Sequence, residues 1–149
     1  MKYRRMEEAD IAVAAQLYVD YYNNHEDGEW TEETARKRIH QVWSREDSYC
    51  LLLEQEGRLI ALAFGYMEQY DDCFAYDLVE IVVAAEYQNQ GIGTAFMQEL
   101  EARVKEQGAM LIQLDAVNDE FHEHFYGKLG YGTAKNFVLK TKMLGNIDV

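Results

Sequence analysis

The 149-residue chain contains no proline at all, and nothing about function follows from that absence. Cysteine is nearly as scarce. Cys50 and Cys73 stand alone without the paired spacing of a zinc or redox motif, so two reduced thiols in a cytoplasmic protein are expected. His25, His40, His122 and His124 form no zinc pattern, and no metal is expected. No apolar run approaches the length of a membrane span. The basic start at Lys2, Arg4 and Arg5 has no apolar core behind it, so no signal peptide is expected. Basic residues are few, 14 against 27 acidic, for a net charge of −13. That balance disfavours nucleic acid, whose phosphates need basic patches. It suits a cationic substrate drawn in by the field, although solubility alone would also account for it.

What is present describes one globular domain over residues 1–149. Hydrophobic residues make up 48% and aromatics 13%, enough to build a core rather than a disordered chain. No linker or internal repeat divides it. Lys2–Met6 reads as a short strand. Asp10 is placed to cap a helix whose apolar face is Ile11, Ala14, Leu17, Tyr18, Tyr21 and Tyr22. After a polar stretch, Thr31 is placed to cap a second helix. Glu32 and Glu33 lie in its first turn, where the dipole favours them, and Ala35, Ile39, Val42 and Trp43 share a face. Tyr49–Glu54 and Leu59–Met67 read as a hairpin closed by Gln55-Glu56-Gly57-Arg58. Phe74–Val83 reads as a strand. A helix with Ile92, Ala95, Phe96, Leu100 and Val104 on one face ends at Gly108. Met110–Val117 reads as a strand and Asn118–Leu129 as a short helix stopped by Gly130. Tyr131–Thr133 and Phe137–Met143 can complete the sheet.

The centre of this order is the stretch from Val79 to Phe96. An apolar, β-branched run interrupted by Glu80 leads into Gln88-Asn89-Gln90-Gly91-Ile92-Gly93-Thr94, and a helix follows. A turn of backbone N–H groups feeding a helix N-terminus is an anion site. It is not a dinucleotide fingerprint, because Phe96 stands where the third glycine belongs. It is not a P-loop, because no lysine follows Gly91 or Gly93. Gln88-x-x-Gly91-x-Gly93 resembles the Gln/Arg-x-x-Gly-x-Gly/Ala signature of the GNAT N-acetyltransferase superfamily. Phe125-Tyr126-Gly127-Lys128-Leu129-Gly130-Tyr131 resembles the Phe-Tyr-x-Lys-Leu-Gly-Phe/Tyr segment found late in the same family. The order of elements is similar to that fold from end to end.

The resemblance implies an α/β (α+β) fold, with a mixed, mostly antiparallel sheet of six to seven strands flanked by about four helices. It implies acetyl-coenzyme A as co-substrate, held by Ile81, Val82, Val83, Gln88, Asn89, Gln90, Gly91, Ile92, Gly93, Thr94, Asn118 and Tyr126. Two departures from the family pattern stand out. The family's asparagine lies seven residues before the tyrosine, but here Asn118 is eight before Tyr126 and Asp119 holds the seventh place. The small residue usual in that helix is replaced by Phe121 or His122.

The implied reaction moves acetyl from a thioester to an amine, with no covalent enzyme intermediate. Freeing the lone pair of an amine of pKa about 10.4 at pH 7 costs about 4.6 kcal/mol, so a base is useful. Glu80, which interrupts an apolar strand near its cradle end, is the leading candidate, and Asp77 is the rival. In a regular strand the two would point to opposite faces. Tyr126 would protonate or hydrogen-bond the departing thiolate. A backbone N–H in Val82–Val83 would serve the acetyl oxygen.

The acceptor is read as a small, cationic amine. Glu29-Trp30-Thr31-Glu32-Glu33 looks similar to a segment of aminoglycoside 6′-N-acetyltransferase-like members. Glu26, Asp27, Glu29, Asp71 and Asp72 could present negative charge to it. A protein N-terminal or lysine acetyltransferase and a non-catalytic coenzyme A-binding domain are the alternatives. Monomer and homodimer both stay open.

Overall fold

The computed structural model describes residues 1–146, and Ile147, Asp148 and Val149 lie outside it. The chain divides into two compact units, Met1–Ala116 and the residues from Val117 on.

The first unit is built in the order β1 (Lys2–Arg5), α1 (Ile11–His25), α2 (Glu32–Trp43), β2 (Ser48–Gln55), β3 (Arg58–Gln69), β4 (Phe74–Val83), α3 (Ile92–Glu106) and β5 (Ala109–Leu114). The strands lie in sequence order in one sheet. The first four are antiparallel, and β5 runs parallel to β4 after the crossover through α3. The hairpin between β2 and β3 closes through Glu56 and Gly57, both with positive φ (52° and 77°), the geometry that matches strand twist. Thr31 caps α2 as expected, its hydroxyl accepting the Thr34 N–H at 3.0 Å. Asp10 does not cap α1. It already has helical dihedrals, and its carboxylate turns back to accept from the Glu7 N–H at 2.7 Å and from the two terminal Arg4 guanidinium nitrogens.

One face of the sheet is covered by α1 and α2. Ile11, Ala14, Ala15, Tyr18, Ala35, Ile39 and Val42 pack there against Cys50, Leu52, Leu62, Phe64 and Val82. Strand side chains alternate, so Tyr3 leaves β1 on the other face. There its ring lies 5.8 Å from Phe96 of α3. The α3 stripe is Ile92, Phe96, Met97, Leu100 and Val104. Ala95, expected inside, is exposed, and Met97 fills the flank instead.

Pairing between β3 and β4 is interrupted by a bulge. Phe64 faces Glu80 and Gly65 faces Leu78, so Val79 is an extra residue. One extra residue inverts the alternation beyond it. Asp77 and Glu80, expected on opposite faces, therefore share the face of α1 and α2. Gly65 makes room for this crossing, because a Cβ there would run into the Asp77 carbonyl and the Tyr76 ring.

The second unit contains α4 (Glu120–Lys128). Asp119 caps it through the His122 N–H at 2.8 Å, and Gly130 ends it with φ 94°. Tyr131–Thr133 and Phe137–Met143 form no strand, so the sheet has five strands rather than six to seven. Propensity does not make a strand without a ladder partner, and Phe137, Val138, Leu139 and Met143 are exposed. Among the described residues no helix is long and apolar enough to cross a membrane.

Candidate active site

Both edges of β4 matter. One pairs with β3 along the whole strand, while the other pairs with β5 only from Phe74 to Leu78. The parallel pairing stops at Leu78, where β5 ends at Leu114, and among the described residues no strand covers Val79–Val83 on that side. The Ala84 N–H bonds the Ile60 carbonyl at 2.9 Å, which fixes the phase of the ladder. The N–H groups of Glu80 and Val82 therefore run toward β3, and those of Ile81 and Val83 toward the open edge. Of the three β4 residues expected along the coenzyme, Ile81 and Val83 offer donors. Val82 spends its donor on β3 and is buried against the helices.

The strand continues into the turn through one 3-10 turn at Ala85–Tyr87. The Gln88 amide donates to the Val83 carbonyl at 3.0 Å, and the Gln90 amide to the Glu86 carbonyl at 3.2 Å. Both glutamines thus shape the turn itself. Asn89 (φ 61°) and Gly91 (φ 79°) are left-handed, and Gly91 occupies the N-cap of α3 without a side chain to cap it. The first internal bond of the helix is Ala95 N–H to the Gly91 carbonyl at 3.0 Å. The N–H groups of Ile92, Gly93 and Thr94 therefore have no helical partner and stand at the positive end of the dipole. A Cβ at Gly91 would meet nothing within 4 Å, so the space beside the turn is open. These donors fit a diphosphate, and the open edge of β4 fits an extended amide arm running from it.

Glu80 lies on β4 and is fastened from both helices. Its Oε1 accepts from Tyr18 Oη at 3.1 Å and from Arg38 Nη2 at 2.9 Å, and its Oε2 accepts from Tyr22 Oη at 2.6 Å. Its side chain is 19% exposed. Burial and the Glu80 charge push both tyrosine hydroxyls well above their usual pKa, so they remain donors.

Asp77 has a different environment. Its Oδ1 accepts from Gln113 Nε2 at 2.5 Å, and the same amide lies 2.8 Å from Tyr70 Oη, which donates to Glu68 Oε2 at 3.0 Å. Oδ2 is buried with no donor in reach. Burial, and then a hydrogen bond shared with Glu68, raise Asp77 to about 6, while Glu68 is lowered by the same partnership. Burial makes Asp77 the member that keeps the proton.

In the second unit, Tyr126 lies in α4 with its ring 5.0 Å from Phe125 and 5.7 Å from Tyr131. The Tyr126 carbonyl accepts the Tyr131 N–H at 3.0 Å, which folds the Gly130 corner back on the helix. Asn118 is exposed and precedes the cap. Asp119, in the place where the family pattern has asparagine, is occupied in capping α4 and in bonding His122 Nδ1 at 2.7 Å.

The family described as Acetyltransferase (GNAT) family matches residues 11–131. The chain belongs to that family. Solved structures agree on the fold of this GNAT protein. A probable acetyltransferase is similar with a TM-score of 0.80 at 19% identity, over 98% of this chain and 100% of that one. A predicted acetyltransferase with acetyl-CoA from Clostridium acetobutylicum gives 0.75 at 15% identity, over 94% and 95%. An aminoglycoside acetyltransferase from an uncultured soil metagenomic sample, in complex with sisomicin, gives 0.73 at 16% identity, over 97% and 96%. No curated protein sequence matches the chain.

Reading the sequence alone missed Tyr18, Tyr22 and Arg38 around Glu80, and Glu68, Tyr70 and Gln113 around Asp77. The first two carried a signal. A buried phenol needs an acceptor, so two tyrosines four apart on a core face imply a polar group opposite them.

Proposed function

We propose that this protein transfers acetyl from acetyl-coenzyme A directly to an amine of a small cationic acceptor of aminoglycoside or polyamine type. The observation that carries the reading is the continuous path from the open β4 edge to the uncapped start of α3. Ile81 and Val83 offer N–H groups along the edge, and Ile92, Gly93 and Thr94 offer them at its end. The edge would orient the amide arm, and the helix start would hold the diphosphate. Oriented N–H donors also stabilise charge developing on a carbonyl oxygen. A carboxylate on β4 would receive the amine proton, and Tyr126 would hydrogen-bond the departing thiolate. The cationic acceptor is supported by the net charge of −13 and by the likeness to an aminoglycoside acetyltransferase that holds sisomicin.

The test is thiol release from acetyl-coenzyme A with sisomicin, kanamycin, spermidine and a lysine peptide as acceptors. Turnover with the polycations above the lysine peptide is expected. No thiol release with any amine, together with no melting shift from acetyl-coenzyme A, would reject the reading.

A further inference from the structure

Three donors already hold Glu80, and one is a guanidinium. To receive a proton it would have to give up bonds that tie β4 to α1 and α2. Asp77 is free of that duty. The bulge at Val79 turns it to the same face, and it is adjacent to Leu78, the last residue of β4 paired with β5. Its Oδ2 is buried without a donor, and Glu68, two residues along β3 from the ladder partner Tyr66, presents its carboxylate to the Asp77 carboxyl. Around the rest of the ring every contact runs from a donor to an acceptor, through Gln113 and Tyr70. Only between Asp77 and Glu68 do two acceptors meet, so that is where a proton belongs.

We propose that the proton leaving the acceptor amine is taken up through one water by the Asp77–Glu68 carboxyl pair, while Glu80 anchors the strand and stays out of proton transfer. The inference rests on the acetyl-transfer reading above. The ammonium of the acceptor loses one proton to the pair, which frees the lone pair on nitrogen. That lone pair forms the C–N bond to the thioester carbonyl, and the C–S bond breaks with its electrons going to sulfur. The second proton leaves nitrogen and ends on the thiolate, giving amide and thiol. The proton on the pair then passes to solvent past Tyr70, which is 41% exposed. The groups facing the pair are Tyr66 from β3, Tyr70 from the loop after it, Gln113 from β5 and Arg45 from the segment after α2. Two carboxyls sharing a proton bind it more tightly than either alone. With Asp77 at about 6, the pair is mostly ionised at pH 7 and able to accept.

The test is the pH profile of kcat/KM for whichever of sisomicin, kanamycin or spermidine turns over best. The wild type should lose activity on an acid limb near pH 6. Glu68→Gln removes the carboxylate that, after burial, raises Asp77, so the limb should move to lower pH. Asp77→Asn should lower kcat by about 100-fold while the melting shift from acetyl-coenzyme A persists, as for loss of a proton-transfer group. Glu80→Gln should leave the limb where it is. If the amines turn over but Asp77→Asn stays within about threefold of wild type, or Glu68→Gln leaves the limb unmoved, the inference fails and the acetyl-transfer reading stands. If no amine turns over and acetyl-coenzyme A gives no melting shift, the reading falls and the inference with it.

Discussion

The hydroxyl of Tyr22 donates to Glu80 Oε2 at 2.6 Å, joining α1 to the central strand β4. With Tyr18 and Arg38 it makes the Glu80 carboxylate a fastening point for two helices. A hydrogen bond to a charged acceptor contributes about 1.5–3 kcal/mol. Tyr22→Phe keeps the ring and its packing on Tyr18 and Tyr21, and should lower unfolding stability by about that amount. Urea denaturation checks it. A loss below about 0.5 kcal/mol would mean that Glu80 is held well enough by the other two donors.

The cradle prediction concerns Gly91. Aspartate tolerates the left-handed region at a cost of about 1 kcal/mol, and its Cβ would meet no neighbour. Gly91→Asp should therefore fold. Its carboxylate would sit among the N–H groups of Ile92, Gly93 and Thr94 and compete with a phosphate. The melting shift given by acetyl-coenzyme A in the wild type should vanish, since that shift requires binding to the folded state. A shift of unchanged size would place the coenzyme elsewhere.

Tyr126→Phe should lower kcat by about 10- to 1000-fold with coenzyme binding retained, the scale of losing one donor to a developing charge. Steady-state rates beside the melting shift separate the two effects. A variant with wild-type kcat would show that the thiolate leaves without this hydroxyl.

Most of the first unit was legible because its signals are local. Phe74–Val83, the Thr31 cap and the Gly57 hairpin each rest on residues close in sequence. Asp77 and Glu80 stand out in the sequence for the same reason, as carboxylates in an apolar strand. Their environments were not legible. The bulge at Val79 depends on Gly65 across the ladder, and nothing in the β4 sequence announces it. The partners of Glu80 come from 42, 58 and 62 positions away. The expected last strands failed differently. Phe137–Met143 has the composition of a strand, but composition cannot supply the neighbouring N–H and C=O groups.

Asp77 also makes a prediction about stability. Its folded pKa of about 6 lies above the unfolded value near 3.8, so the folded state binds the extra proton between those values. Its contribution is full below pH 4 and is lost as pH rises through 6. Asp77→Asn mimics the protonated form at every pH. The variant and wild type should melt together at pH 4, and the variant should melt higher at pH 7. Paired melting curves across this window decide it. A difference that does not change with pH would mean that Asp77 ionises alike in both states.

The acceptor prediction turns on charge. Glu26, Asp27 and Glu29 lie between α1 and α2, and Asp71 and Asp72 between β3 and β4, all exposed. Glu26 is steadied by Tyr21 Oη at 3.0 Å, and Asp27 is held in a left-handed conformation, φ 55°. Exposed acids of one sign attract a polycation through a field that salt screens. Raising ionic strength from about 0.01 to 0.15 M shortens the Debye length from about 30 to 8 Å. The kcat/KM for a polycationic acceptor should fall across that range, and for acetyl-coenzyme A it should not fall. Replacing the five acids together by Asn or Gln should raise the acceptor KM, leave the coenzyme KM nearly unchanged and remove most of the salt dependence. Their exposure keeps the cost to folding small, since isolated surface charges contribute little to stability. A best acceptor that is an acidic peptide, or a rate indifferent to salt, would show that the negative charge serves solubility alone.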